Sequence, residues 1–142
     1  MTIQLSVPII PSHITIEHIS QEESVPDSLL SSAPREIEVY GVTDQIALEQ
    51  MAASGHHSRD NLSVASSPYA IHLASIVFDP RDSFIQTFPI SNEGKIRLSS
   101  VTSIPVIQFQ IHSNWGESKY TCLYRVRVHG REPTLPKIAF SY

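Results

Sequence analysis

A single cysteine, Cys122, stands in the 142 residues, which excludes an internal disulfide, a cysteine-based zinc site and a Cys-x-x-Cys redox motif in one step. The Gly-x-Ser-x-Gly elbow of serine hydrolases and the glycine-rich phosphate loop are also absent. Basic charge is scarce: 10 Lys and Arg against 14 Asp and Glu give a net charge of −4, so there is no electrostatic footprint for nucleic acid and no polybasic surface for anionic lipid. No apolar run approaches the length of a membrane span, and the N-terminus MTIQLSVPIIPSH has neither the basic nor the apolar region of a signal peptide. The chain itself is therefore not expected to insert into a membrane. His56 and His57 are adjacent without a Cys or acidic ligand at metal spacing, and His72, His112 and His129 show no triad order. No metal, no cofactor and no enzymatic activity are expected.

What is present points to strands. Hydrophobic content of 41%, with 17% charged residues, suits one domain with a real core over residues 1–142. Ten prolines against five glycines, and apolar runs of four to eight residues rich in Ile and Val, predict short strands joined by turns. The class is all-β, a compact antiparallel sandwich. Residues 13–19 alternate Ile14, Ile16 and His18 with Thr15 and Glu17, and residues 36–40 place Ile37 and Val39 inward. Residues 69–78, 84–90 and 104–111 are the next strands, the last with Ile107, Phe109 and Ile111 on its core face. Residues 20–34 read as a polar loop and Asn92-Glu93-Gly94 as a turn. Residues 43–68 break the pattern and read as an insertion loop. Its first part, with Ile46, Ala47, Leu48 and Met51 before Gly55, can form one short helix, and its second part is polar.

The stretch SNWGESKYTCLYRVRVHG, residues 113–130, is the most specific wording in the chain. A tryptophan turn leads into a predicted strand with Tyr120, Cys122, Tyr124, Val126 and Val128 on one face and Thr121, Leu123, Arg125, Arg127 and His129 on the other. Arg125 and Arg127 face away from the apolar side and form a solvated or ion-paired surface. This wording closely resembles the C-terminal signature of the SUN domain family. A second block over residues 2–41 follows the same family in order: a strand ending Leu-Ser, a proline turn, Thr15-Ile16-Glu17-His18, a polar loop, Ser32-Ala33-Pro34, and a Val-Tyr-Gly strand. Gln86-Thr87-Phe88 is a weaker match to the central region. The resemblance covers most of the chain, leaving out roughly residues 43–68.

The resemblance implies a jelly-roll-like SUN β-sandwich that captures the C-terminal tail of a KASH protein in the perinuclear space of the nuclear envelope. It also implies a homotrimer linking nucleus to cytoskeleton. It places Met1 on an internal strand of the family domain, after the first segment, lid hairpin and cation-binding loop, so an N-terminally incomplete or reduced member lacking the lid is expected. The family cysteine matching Cys122 pairs with one in that loop, so Cys122 is expected here as a small buried residue beside Val126.

In the family a His, a Ser and a Tyr line the pocket for the peptide carboxylate, and they match His18, Ser32 and Tyr124. A carboxylate offers about four lone-pair sites, which imidazole and hydroxyl donors can satisfy at roughly 1.5–3 kcal/mol per charge-assisted bond. Taken singly, His18 reads as a bonded core histidine, Ser32 as a loop residue and Tyr124 as core. Three matches in order favour the pocket. The alternative is a jelly-roll carbohydrate or surface-binding domain, marked by exposed aromatics beside polar groups in one groove. Trp115, the single tryptophan, sits in a turn better explained by packing.

Overall fold

A computed structural model describes residues 1–19, 26–43, 69–101 and 103–134. These residues form strands β1 (Thr2–Glu17), β2 (Glu36–Val42), β3 (Ala70–Val77), β4 (Ile85–Pro89), β5 (Ile104–Ile111) and β6 (Arg125–Arg131), with short helices α1 (Asp27–Ser31) and α2 (Asn92–Leu98). All pairings are antiparallel, in the order β3-β2-β5-β1-β4, and β6 also pairs with β1. The expected all-β sandwich is what forms.

The long strand β1 belongs to both layers. Its first half pairs with β5 from Thr2↔Gln108 to Ile9↔Ile104, and its second half pairs with β4 and β6. Register irregularities fall between Gln4 and Ile9 and between Pro11 and His13. Pro8 lies within the first irregularity and Pro11 borders the second. Neither can donate to a ladder, so the strand bends where its sequence cannot sustain regular pairing. The bend curls the sheet so that β3, β2 and β5 face β4, β1 and β6 across one core.

That core takes Ile14 and Ile16 from β1, Ile37 and Val39 from β2, Leu73 and Ile76 from β3, and Ile107 and Phe109 from β5, all at most 2% exposed. Phe88, Val126 and Val128 pack against it from β4 and β6. Each large side chain so buried contributes roughly 1.5–3 kcal/mol. Leu73 is the extra residue of a bulge between Val39↔Ala74 and Tyr40↔His72, so consecutive residues Leu73 and Ala74 are both buried.

Six expectations need correction. The first strand runs from Thr2 to Glu17, longer at its start than residues 13–19 and ending before His18. Thr15 and Glu17, expected on the polar face, are buried because β1 is flanked on both sides there and neighbouring side chains close over them. Asn92-Glu93-Gly94 is the first turn of α2, since the Ser91 hydroxyl accepts from the Gly94 N–H at 3.0 Å and caps a helix; α1 likewise lies within the expected loop over 20–34. Residues 120–124 are not strand. The Asn114 side-chain amide donates to the Tyr120 carbonyl and the Thr121 hydroxyl, and the Cys122 N–H donates to the Ser32 carbonyl at 2.7 Å. These groups have no ladder to join, and Cys122 is half-buried rather than buried. The helix expected within residues 43–68 lies outside the described residues.

Candidate functional site

Where β1 ends, its pairing with the β4 side persists for one more bond, from the His18 N–H to the Phe84 carbonyl at 2.8 Å. This fixes the His18 backbone while its ring turns toward α1. The ring Nε2 lies 2.6 Å from the Leu29 carbonyl, and the residue is 3% exposed. A carbonyl only accepts, so Nε2 carries the proton and donates. The other ring nitrogen, Nδ1, is buried without a hydrogen-bond partner among the described residues. An unpartnered buried nitrogen is costly, by roughly 1–3 kcal/mol, unless another group satisfies it.

Ser32 stands just behind. Its hydroxyl donates to the same Leu29 carbonyl at 2.9 Å, and the residue is fully buried. Through its own carbonyl it holds Cys122, and thus the irregular segment that delivers Tyr124. Tyr124 precedes β6 and is 59% exposed.

His18 and Tyr124 meet on the wall of one open pocket of about 250 Å³, with Ile19, Phe84 and Ile85 as its apolar part. Ser32 does not line it; it joins the site through Leu29. Glu17 and Arg125 also line it. Glu17 is a buried carboxylate held by two guanidinium groups, from Arg127 and from Arg125, whose Nε is 3.3 Å away. Two guanidinium groups thus neutralise the one carboxylate at the pocket wall, and Arg125 itself lines the pocket. Of the residues the sequence proposes, His18 and Tyr124 line this pocket, and Phe84, Ile85 and Glu17, which it does not propose, line it too. Their signal is cross-strand register with β1 and β6, which single-strand alternation does not carry.

The tryptophan turn is a packing device. Asn114 accepts from the Gly116 N–H at 3.0 Å, and Gly116 takes φ of 126°, a conformation open to glycine. The Trp115 indole donates to the Phe78 carbonyl, and the guanidinium carbons of Arg35 and Arg81 lie 4.7 and 4.3 Å from its ring centroid. Arg81 also clamps Asp79, and its hydrogen bond holds that carboxyl below the usual range. A second pocket of about 200 Å³ lies beside this turn, lined by Asp27, Leu30, Pro80 and Arg81 among others. The guanidinium groups already occupy the ring, so Trp115 offers no free platform for a sugar.

On β2 and β3, Ser75, His72 and Glu38 come together unannounced by any motif. Ser75 and Glu38 approach the same nitrogen, His72 Nε2. A nucleophile and its orienting acid must engage opposite nitrogens, so this is not a hydrolytic triad.

Residues 1–132 match the family profile described as Sad1 / UNC-like C-terminal. The chain is 38% identical over 128 residues to SUN domain-containing protein 3 of Mus musculus, covering 90% of this chain and 32% of that protein. It is 37% identical to SUN domain-containing protein 3 of Bos taurus over 90% of this chain and 28% of the relative. Against SUN domain-containing protein 5 of Homo sapiens the identity is 32%, over 92% and 27% respectively. The chain thus spans about a third or less of these relatives.

Proposed function

The chain belongs to the Sad1/UNC-like C-terminal family, and from that membership we propose that it is the peptide-capturing module of a nuclear-envelope linker. In this reading the pocket at His18 and Tyr124 receives the C-terminal carboxylate of a KASH protein from the outer nuclear membrane, in the perinuclear space. The function is binding, not catalysis, and the assembly is a homotrimer with peptide held between subunits. The observation that carries the reading is that His18, whose buried Nδ1 has no hydrogen-bond partner among the described residues, lines an open pocket together with Tyr124 and Arg125. Tyr124 contributes a hydroxyl donor from the open side. Ser32 supports His18 from behind through their shared acceptor, the Leu29 carbonyl. Phe84 and Ile85 offer apolar contact to the last side chain of the peptide.

Because Nε2 is committed to the Leu29 carbonyl, Nδ1 donates to a carboxylate only in the imidazolium form. Calorimetric titration with a KASH-type tail tests the pocket. The free acid binds more tightly than its C-terminally amidated version. Equal affinity of acid and amide would refute the carboxylate pocket.

A further inference from the structure

The outer face of β4, β1 and β6 is basic in a chain that is acidic overall. Val126 and Val128 pack against the core, so alternation sends Arg125, Arg127, His129 and Arg131 to the opposite face. The cross-strand contacts agree. The Thr15 hydroxyl meets His129 Nε2 at 2.7 Å and the Thr87 hydroxyl at 2.8 Å. Arg125 and Arg127 share Glu17, and Arg131 makes no ion pair among the described residues. Beside β6, the face is completed by His13 from β1 and by Ile85, Thr87 and Pro89 from β4, none of them acidic. Three arginines less one glutamate leave a surplus of two positive charges before either histidine is protonated. Glu132 follows the strand without belonging to it.

The basic row begins inside the pocket, since Arg125 lines it, and continues along β6 to Arg131. Side chains on one face of a strand recur every ~6.8 Å, and an extended polypeptide presents alternate side chains at the same interval. The row is one strand wide, bordered by β1, which carries His13, Thr15 and Glu17 on this face, with the uncharged residues of β4 beyond it. A membrane or nucleic acid reads a broad basic surface, which this chain of net charge −4 does not offer. We propose that the β6 row continues the peptide pocket. It receives the extended segment preceding the captured C-terminus, and Arg127 and Arg131 select acidic side chains at alternate positions of that segment. This inference rests on the pocket reading and adds a determinant of partner choice to it.

The test uses the full chain and synthetic tails with a free C-terminus. One is short enough to fill only the pocket. Two others extend upstream far enough to cover the row, ~20 Å at ~3.4 Å per residue, with Glu or with Gln at alternate positions. The Glu tail is expected to bind about three- to tenfold more tightly than the Gln tail at low salt, an advantage that fades as ionic strength rises. Arg131→Gln and Arg127→Gln remove that advantage. Arg131→Gln leaves the short tail unaffected, which also confirms that this variant is folded. Equal affinity of the Glu and Gln tails, with the short tail binding, would overturn the proposal and leave the pocket reading intact. If no short tail binds but an amidated Glu tail does so in an Arg131-dependent way, the row stands and the pocket falls. Arg131-dependent binding of vesicles containing phosphatidylserine, or of single-stranded DNA, in place of the Glu tail would likewise overturn it.

Discussion

Tyr124 and Ser32 are both named by the sequence motif, yet they end in opposite environments, and the reason is local. Alternation places Tyr124 inward with Val126, but the chain before Arg125 is not in a ladder, and the tyrosine emerges 59% exposed. Ser32, which reads as an ordinary loop residue, is fully buried because its hydroxyl and carbonyl are both used, by Leu29 and Cys122. Tyr124→Phe consequently separates binding from stability. The change leaves the melting temperature nearly unaltered, as exposed substitutions usually do. It weakens capture of a free C-terminus roughly ten- to a hundredfold, the loss of one hydrogen bond to a charged group. Thermal melting and peptide titration on the same variant check this; a large fall in melting temperature with unchanged affinity would make the tyrosine structural. The positions of His18, Ser32 and Tyr124 were legible in sequence because the motifs fix their order. The presence of Glu17, Phe84 and Ile85 in the same pocket was not, because they are brought together only by folding.

At the scale of elements, the β1–β6 pair depends on one close approach. A Cβ built on Gly130 meets the Ile10 carbonyl oxygen at 2.4 Å, so a side chain there forces the strands apart next to the irregularity at Pro11 and His13. Gly130→Ala is expected to cost about 1–3 kcal/mol, seen as a lower midpoint in urea at unchanged slope. Strand existence was readable here from the Ile and Val alternation. Strand ends were not: β1 closes at Glu17, and the ring of the next residue, His18, is claimed by the Leu29 carbonyl of α1. The two short helices escaped for a related reason. Asn92-Glu93-Gly94 carries strong turn chemistry, and it becomes helix because Ser91 caps it and Leu98 buries against the core.

At the scale of the whole molecule, β1 makes the two layers one cooperative unit, since neither sheet keeps its full pairing without it. Ile14→Ala, which hollows the core at the β4–β1–β6 layer, is expected to cost ~2–5 kcal/mol. It should lower a single transition in which Trp115 fluorescence, reporting the turn packed against Phe78, and far-ultraviolet circular dichroism coincide. Two separated transitions would show that the layers unfold independently. The all-β class was legible because short Ile- and Val-rich runs and many prolines leave little else. The partner exchange along β1 was not, because strand pairing is a long-range choice that local pattern does not encode. The same strand decides how the molecule carries mechanical load. The pocket opens at the His18 end of β1, where the strand is flanked by β4 on one side and β6 on the other. Tension applied there along the strand axis is borne in shear by both ladders, whose bonds must yield together and not one after another, and the bend passes what remains to β5. If the proposed peptide is held at His18, its pull falls on a strand braced by a ladder on each side.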